Sequence, residues 1–359
     1  MIRFSIVIPL YNRVGLIEET IRSLLKQTYA QFEIRVIDDG STDGSEQVVL
    51  SLQKQDNRVY YSKRTGSVKG ANTCRNQGIE ASTGEYIVLL DSDDLLAPYC
   101  LEQRRQEILR QPDFDCWIFP MLLFTKSPGD SMVLQNIETG ENYLDRFLGM
   151  DLPWLISSPV WRKQKLVEIG KLDEEIPGYQ DAELHVRALM ADVKTSVRLD
   201  AVPDHFYRMH AQGTISSERK DERYLEVLLL LQQRFAEKLR SRNTLTRGRK
   251  KIIASNLTWI AYQYRHYSKG RVKEVRKKSY EIWNLASQLH VIRSFPCSLG
   301  RMYTWFTYFP LYYRWRLFRI SVRFIFEKWL LRSVYAKKPS HIGKHVYTGR
   351  LEYFQTNRD

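Results

Sequence analysis

An α/β fold with a doubly wound, mostly parallel sheet, continued by an α-helical C-terminal region, is what this 359-residue sequence predicts. Three observations carry that reading. Apolar strand-like runs alternate with helical patterns through short connections over roughly the first 120 residues. Polar clusters stand at the carboxyl ends of those runs, where open α/β sheets bind ligands. Past about residue 220 the period is helical alone and the charge changes sign: residues 1–220 carry a net −6 and residues 221–359 a net +20, within a total of +14.

The elements follow in order. Residues 4–9 (FSIVIP) read as a buried strand ending in a turn at Tyr11-Asn12-Arg13. Leu16, Ile17, Ile21, Leu24 and Leu25 then recur on one face of a helix over 15–27. Residues 32–37 (FEIRVI) form the next strand, and Asp38-Asp39-Gly40-Ser41-Thr42-Asp43-Gly44 its exit, with a helix over 46–55. A short strand at 59–62 leads into a basic, glycine-containing loop, residues 63–70, and a helix over 72–82. The fourth strand, Tyr86–Leu90, is apolar throughout and ends in Asp91-Ser92-Asp93-Asp94. Strands are also expected at 115–121 and 155–161, with helices at 163–169 and after Gly178.

The acidic exit of the fourth strand is the sharpest chemical signal. Carboxylates crowded at a buried strand end repel one another unless a positive charge compensates. A hard cation such as Mg²⁺ or Mn²⁺, which prefers carboxylate and phosphate oxygens, is the expected partner. With extended backbone Asp91 and Asp93 point to one side, as a metal–diphosphate clamp requires; Asp94 is open to a second reading, as part of the start of the helix beyond Pro98. Lys69 and Arg75 supply positive charge for phosphate at the same sheet edge. There is no G-x-G-x-x-G after the first strand and no G-x-x-x-x-G-K-[ST], which excludes the common dinucleotide and P-loop arrangements. Four cysteines without C-x-x-C spacing argue against a disulfide framework or zinc site and for a reducing compartment. No apolar run reaches the length of a membrane-spanning helix, and the N-terminal apolar run is too short for a signal peptide.

Four ordered blocks, SIVIPLYNR (5–13), SLLKQTY (23–29), FEIRVIDDGSTDGS (32–45) and GANTCRNQGIEASTGEYIVLLDSDD (70–94), resemble the nucleotide-binding half of glycosyltransferase family 2. The resemblance implies the GT-A fold, with its Rossmann-like nucleotide-binding half, for a catalytic domain over 1–220. It implies transfer of a sugar from a nucleoside diphosphate sugar, UDP-linked by expectation, to a hydroxyl of a glycan or lipid-linked acceptor, with inversion and with Mn²⁺ or Mg²⁺. By resemblance Asp39 meets the base edge, Pro9 and Asn12 line the nucleotide pocket, Arg75 lies near the diphosphate, Asp91 lies towards the ribose with Ser92 a further donor-binding residue, and Asp93 holds the metal with Asp94 as a second candidate; for Arg75 a solvated helix position is the other reading. For Asn12, turn chemistry and nucleotide contact both stand.

Within Gly178-Tyr179-Gln180-Asp181-Ala182-Glu183, Asp181 has two readings: a helix N-cap, or the general base that removes the acceptor's proton. The family's acidic pair implies the second, although its first member is Gln180 here, and Glu183 is held in reserve. The segment Tyr207-Arg208-Met209-His210 is similar to the family's closing motif, which makes His210 a further metal or phosphate ligand.

The region 221–359 reads as three helices followed by 301–334, where Leu311, Trp315, Phe318, Val322, Ile325 and Trp329 make an apolar stripe beside Arg316, Arg319 and Arg323. An anionic membrane surface suits that pattern, as does packing on the catalytic domain or on a second copy of the chain; nucleic acid is not expected as a partner. The family's lipid-linked acceptors imply the first, hence a cytoplasmic protein peripheral on the inner face of the cell membrane and engaged in cell-surface polysaccharide synthesis.

Overall fold

The run Phe4–Leu10 becomes β1, the strand on which the sheet is built, and it is buried along its whole length. The computed structural model describes residues 1–209, 222–267 and 272–292, with positions 298, 301 and 348. The described residues form two compact units, 1–141 with 152–209, and 142–151 with 222–292.

In the first unit the elements are β1, α1 (Ile17–Leu25), β2 (Phe32–Asp38), α2 (Ser45–Gln55), β3 (Val59–Lys63), α3 (Ala71–Ala81), β4 (Tyr86–Leu89), β5 (Leu95–Leu96), α4 (Cys100–Arg110), β6 (Cys116–Ile118) and β7 (Met121–Phe124). After α5 (Tyr143–Leu148), which belongs to the second unit, come β8 (Pro159–Arg162), α6 (Lys163–Glu168), α7 (Gln180–Met190), β9 (Thr195–Val197) and β10 (His205–Arg208). The main sheet has the order β3-β2-β1-β4-β8-β6-β9, parallel from β3 to β4, with β8 antiparallel to both neighbours. A second sheet, β5-β10-β7, stands apart from it. The mostly parallel doubly wound sheet expected from the sequence is therefore present. One apolar face, from Ile6, Ile8, Ile34, Val36 and Val88, packs against Ile17, Ile21 and Leu24 of α1 and Val49 and Leu52 of α2.

Two expectations are corrected. The strand expected over 115–121 is divided: Cys116–Ile118 pairs in the main sheet and Met121–Phe124 in the second. Pro120, with no N–H to give a ladder, stands at the division. Of the strand expected over 155–161 only Pro159–Arg162 is formed. The backbone just before it is taken by site side chains instead: Ile156 N donates to Asp181 Oδ1 and the Ser157 carbonyl accepts from His205.

In the second unit α8 (Glu222–Ser241), α9 (Arg247–Tyr267) and α10 (Val272–Gln288) follow the helical periods of the sequence, α9 packing against α8, α10 and α5. Leu225, Leu228, Leu231 and Phe235 of α8 and Ile253, Leu257, Ile260 and Tyr264 of α9 are buried. No helix among the described residues is long and apolar enough to cross a membrane. The stripe at 301–334 lies outside the described residues.

Candidate active site

The crevice of the site begins at a missing hydrogen bond. Leu90 N donates to Val7 O at 3.0 Å, and the return bond of a parallel ladder would come from residue 9. Residue 9 is proline and has no N–H, so the β1–β4 pairing stops at Val7 while β1–β2 pairing runs on to Leu10 and Asp38. The turn 11–13 and the acidic turn 91–94 stand on the two strands that part at this point.

At the end of β2, neighbouring carboxylates divide the work. Asp38 is buried, and its oxygens accept from Gly40 N (3.1 Å), Ser41 N (2.8 Å), Ser41 Oγ (2.7 Å) and the Tyr61 hydroxyl (2.8 Å). Asp39 faces outward, accepting from Arg64 Nε on Oδ1 and from Gly70 N on Oδ2 at 2.9 Å. Asn12 sits at φ 49° and ties the two loops together, its Oδ1 accepting from Thr42 N at 2.8 Å. Its turn role is thus explicit. Lys69 is exposed on the loop between β3 and α3.

The acidic exit of β4 is a turn and not the extended segment expected: Asp94 N donates to Asp91 O at 3.3 Å, with Ser92, buried, and Asp93 at the corner. Asp and Ser are strong turn formers, which accounts for the difference. Asp91 Oδ1 accepts from Arg75 Nη2 at 2.6 Å; Asp93 Oδ2 lies 3.4 Å from Arg13 Nε, and the Asp93 carbonyl accepts from Arg208 Nε at 2.8 Å. Asp94 turns inward. Its Oδ1 accepts from Arg208 N (2.9 Å), and its Oδ2 lies 3.0 Å from His205 Nε2. His205 Nδ1 faces the Ser157 carbonyl at 3.2 Å, an atom that only accepts, so Nδ1 carries a proton, and in a ring that burial keeps neutral Nε2 is then the acceptor. The proton between Nε2 and Asp94 then belongs to the carboxyl. The electrostatics agree: burial, with the Asp91 and Asp93 charges, pushes Asp94 well up, and burial, with the Arg104 charge, holds His205 down at about 4.

Asp181 occupies the first turn of α7. The N-cap is Tyr179, at φ 58° and without a side-chain cap, so the capping reading of Asp181 gives way. Its Oδ1 accepts from Ile156 N at 2.7 Å. Glu183 is paired with Arg187 at 2.7 Å. Adjacent backbone groups tie these elements together, Ile156 N to Asp181 and the Ser157 carbonyl to His205 beside Asp94, and burial, with the nearby carboxylate charges of Asp91, Asp93 and Asp181, pushes the Tyr207 phenol upward. The structure thus gathers Asp39, Arg75, Asp91, Ser92, Asp93, Asp94 and Asp181 at the carboxyl ends of β1, β2 and β4 and around β10. His210 lies outside the described residues.

Arg13, Arg64, His205, Tyr207 and Arg208 carry much of this geometry and were not singled out from the sequence. The Tyr207-Arg208 pair stood inside the recognised closing segment, so that signal was available; Arg13 and Arg64 had none beyond their positions in loops at the sheet edge.

Among the described residues no group of three or more His, Cys, Asp or Glu side chains is gathered to hold a metal. Asp93 and Asp91 nevertheless fit a cation that arrives with phosphate, because Mg²⁺ is commonly bound by one or two carboxylates and completed by phosphate oxygens and water. Asp94, with both oxygens used internally, supports the turn.

A doubly wound, mostly parallel sheet in which β1 and β4 part at an acidic turn is the architecture of the GT-A class, and the comparisons agree. Residues 5–138 match the model described as glycosyl transferase family 2. The glycosyltransferase GlyG of Streptococcus pneumoniae is 36% identical over 128 residues, 35% of this chain and 41% of that protein. A Campylobacter jejuni enzyme, GalNAc(5)-diNAcBac-PP-undecaprenol beta-1,3-glucosyltransferase, is 36% identical over 107 residues, 30% of this chain and 35% of its own length. The chain therefore spans less than half of each of these relatives. Among solved structures, S. aureus TarS 1–349 in complex with UDP-GlcNAc superposes with a TM-score of 0.60 at 20% identity, covering 94% of this chain and 93% of that one. Residues 5–138 are thus similar to glycosyl transferase family 2, and the fold is that of the GT-A class.

Proposed function

We propose that the protein is an inverting, metal-dependent glycosyltransferase that moves a sugar from a UDP-sugar to a hydroxyl of a glycan or lipid-linked acceptor. The observation that carries the proposal is that two adjacent backbone groups join Asp181 to the acidic turn: Ile156 N donates to Asp181 Oδ1, and the Ser157 carbonyl meets His205, whose Nε2 lies 3.0 Å from Asp94 Oδ2. Asp39, fixed by Arg64 and Gly70 N, accepts an N–H of the base; Arg75 and Arg13 lie against the carboxylates beside the diphosphate. Asp181, its carboxylate oriented by Ile156 N, takes the acceptor's proton as the hydroxyl attacks the anomeric carbon from the face opposite the diphosphate. A divalent cation held by Asp93 and Asp91 would supply Lewis-acid neutralisation of the leaving group. The UDP donor is supported by the UDP-GlcNAc in the TarS complex, and a lipid-linked acceptor by the undecaprenol-linked one in the Campylobacter relative's name.

The test is turnover with a panel of UDP- and GDP-sugars plus Mn²⁺ and candidate acceptors, wild type against Asp181→Asn. A loss of about 10²-fold or more in kcat is the scale of general-base catalysis. Full activity of Asp181→Asn would instead indicate a phosphate acceptor, which ionises by itself. Nucleotide binding without turnover on any donor would refute the enzymatic reading in favour of a scaffold. In the same proposal residues 221–359 attach the 1–220 catalytic domain to an anionic membrane surface through 301–334; equal liposome co-sedimentation with and without 295–359 would refute that part and leave self-association.

A further inference from the structure

Helix α3 does more than present Arg75. Its residues 72, 73 and 76 face the strap Leu172–Ile176, which leads through Pro177-Gly178-Tyr179 into Asp181. Asn76 pairs its carboxamide with the main chain of one strap residue: Nδ2 donates to Leu172 O at 2.9 Å and Oδ1 accepts from Leu172 N at 3.0 Å. The same Nδ2 reaches Glu174 Oε1 at 2.8 Å, and Thr73 Oγ1 donates to Glu174 Oε2 at 3.1 Å. Asn72 Nδ2 donates to Asp173 O at 2.8 Å and Ile176 O at 3.1 Å, while its Oδ1 accepts from Arg75 Nη1 at 3.3 Å. Arg75 in turn holds Asp91 at 2.6 Å.

The strap has no ladder of its own. Its Leu172 N–H and the carbonyls of Leu172, Asp173 and Ile176 are met by side chains of α3, and both asparagines are buried to do it. Asn72 is the joint. One end of its carboxamide touches the arginine of the acidic turn, and the other the strap of the proposed base. The helix beneath is fixed to the sheet, since Gly78 brings its backbone against Val7 so closely that a Cβ would stand 2.3 Å from Cγ1.

We infer that Asn72 and Asn76 are positioning residues: through the chain Asp91–Arg75–Asn72–strap they set the distance between the diphosphate site and Asp181. The inference rests on the proposed reading of Asp181 as base. Attack on one face of the anomeric carbon and departure from the other need both groups placed together, and a misplacement of about 1 Å costs about 10²-fold in rate.

Asn72→Asp tests this, because it keeps an oxygen towards Arg75 and sets an acceptor against the carbonyls of Asp173 and Ile176. Donor titration, steady-state kinetics and amide hydrogen exchange are compared for wild type, Asn72→Asp and Asp181→Asn. The expected result is a fall of about 10²-fold in kcat, with donor Kd within about twofold, and faster exchange confined to 172–181. Should Asn72→Asp not fold, Glu174→Ala removes an exposed acceptor of both Asn76 and Thr73, with the same split at a smaller amplitude. Faster exchange in 172–181 with unchanged kcat overturns the inference; so does a parallel loss of kcat and donor affinity with exchange raised throughout α3, which marks a merely structural role. If Asp181→Asn is fully active, the reading of the base has failed, and the exchange of 172–181 alone decides whether Asn72 holds the strap.

Discussion

Replacing Gly78 by Ala should destabilise this protein, although the same change on an exposed helix would stabilise it. Gly78 lies in α3, where Gly→Ala alone gains about 1 kcal/mol of helix propensity. Against that, the new Cβ would stand 2.3 Å from Val7 Cγ1, 3.3 Å from Ile37 Cγ1 and 3.4 Å from Val7 Cβ. Carbon atoms pack at about 3.5–4.0 Å, so the first contact is short by more than an ångström. Val7 is buried in the middle of β1 and its χ1 is stiff, so it has nowhere to turn. Overpacking of this kind costs about 1–3 kcal/mol, and with a Cβ–Cγ1 contact this short the cost falls in the upper part of that range, so the net expectation is a loss of up to about 2 kcal/mol. Val7→Ala removes the obstructing methyl at its own cost of about 2 kcal/mol, and the double variant should cost less than the two singles together by 1 kcal/mol or more, roughly. Amide exchange of residues 4–10 and 71–81 gives the local opening free energies, and kcat reports whether Arg75 and Asn72 moved with the helix. A single variant more stable than wild type, with effects strictly additive with Val7→Ala, would refute the argument from close packing.

Other consequences are as direct. Asp94→Asn should leave metal binding and turnover nearly intact, because an amide can donate to His205 Nε2 and accept from Arg208 N as the protonated acid does, whereas Asp93→Asn should abolish Mn²⁺ binding measured calorimetrically with UDP present. Buried Glu33 accepts from Ser5 Oγ, Thr83 N and Arg35 Nη2, each at 2.6 Å; burial pushes its pKa up, but the bonds from Arg35, Ser5 and Thr83 prevail and hold it below the usual value. Its contribution is therefore present above the unfolded pKa of about 4.3 and lost as pH falls through the folded value, so the stability difference between wild type and Glu33→Gln, followed by urea midpoints, should shrink only on acidification. Arg104 and Asp204, both fully buried, are joined by two bonds of 2.8 and 3.0 Å. Arg104→Met should cost about 3–5 kcal/mol by stranding the carboxylate, and the double change with Asp204→Leu should recover most of it, read from thermal unfolding.

The sheet was legible because buried parallel strands leave uninterrupted apolar runs, as at Tyr86–Leu90, and because ligands collect at strand exits. Arg75 and Asp91 were legible for the same reason: one follows a basic loop and the other ends a strand, and the fold brings them to 2.6 Å. The division of labour among Asp91, Asp93 and Asp94 was not, since it is decided by His205 and Arg208, more than a hundred residues away in sequence. Nor does any local pattern reveal that Ile156 N and the Ser157 carbonyl are withdrawn from a strand to orient Asp181 and His205. Asn72 and Asn76 looked like ordinary helix residues, and only the strap they meet gives them work.

Adjacent acidic residues at the strand exits follow one rule. Of each pair, one carboxyl is buried with its oxygens taken up inside the protein, Asp38 accepting from Gly40, Ser41 and Tyr61, and Asp94 accepting from Arg208 N and giving its proton to His205 Nε2. The other stays partly exposed against an arginine: Asp39 with Arg64, Asp93 with Arg13, and beyond the pairs Asp91 with Arg75. The inner member fixes the loop, which leaves the outer one in place without a ligand to order it. The arginines keep the exposed carboxylates compensated, so their mutual repulsion does not oppose folding. On the proposed reading, a nucleoside diphosphate sugar arriving with a divalent cation would bring two negative and two positive charges and leave the site balanced without breaking those pairs. Under that proposal the expected consequence is selectivity for the complex of donor and cation over free nucleotide, because either partner alone would disturb the balance.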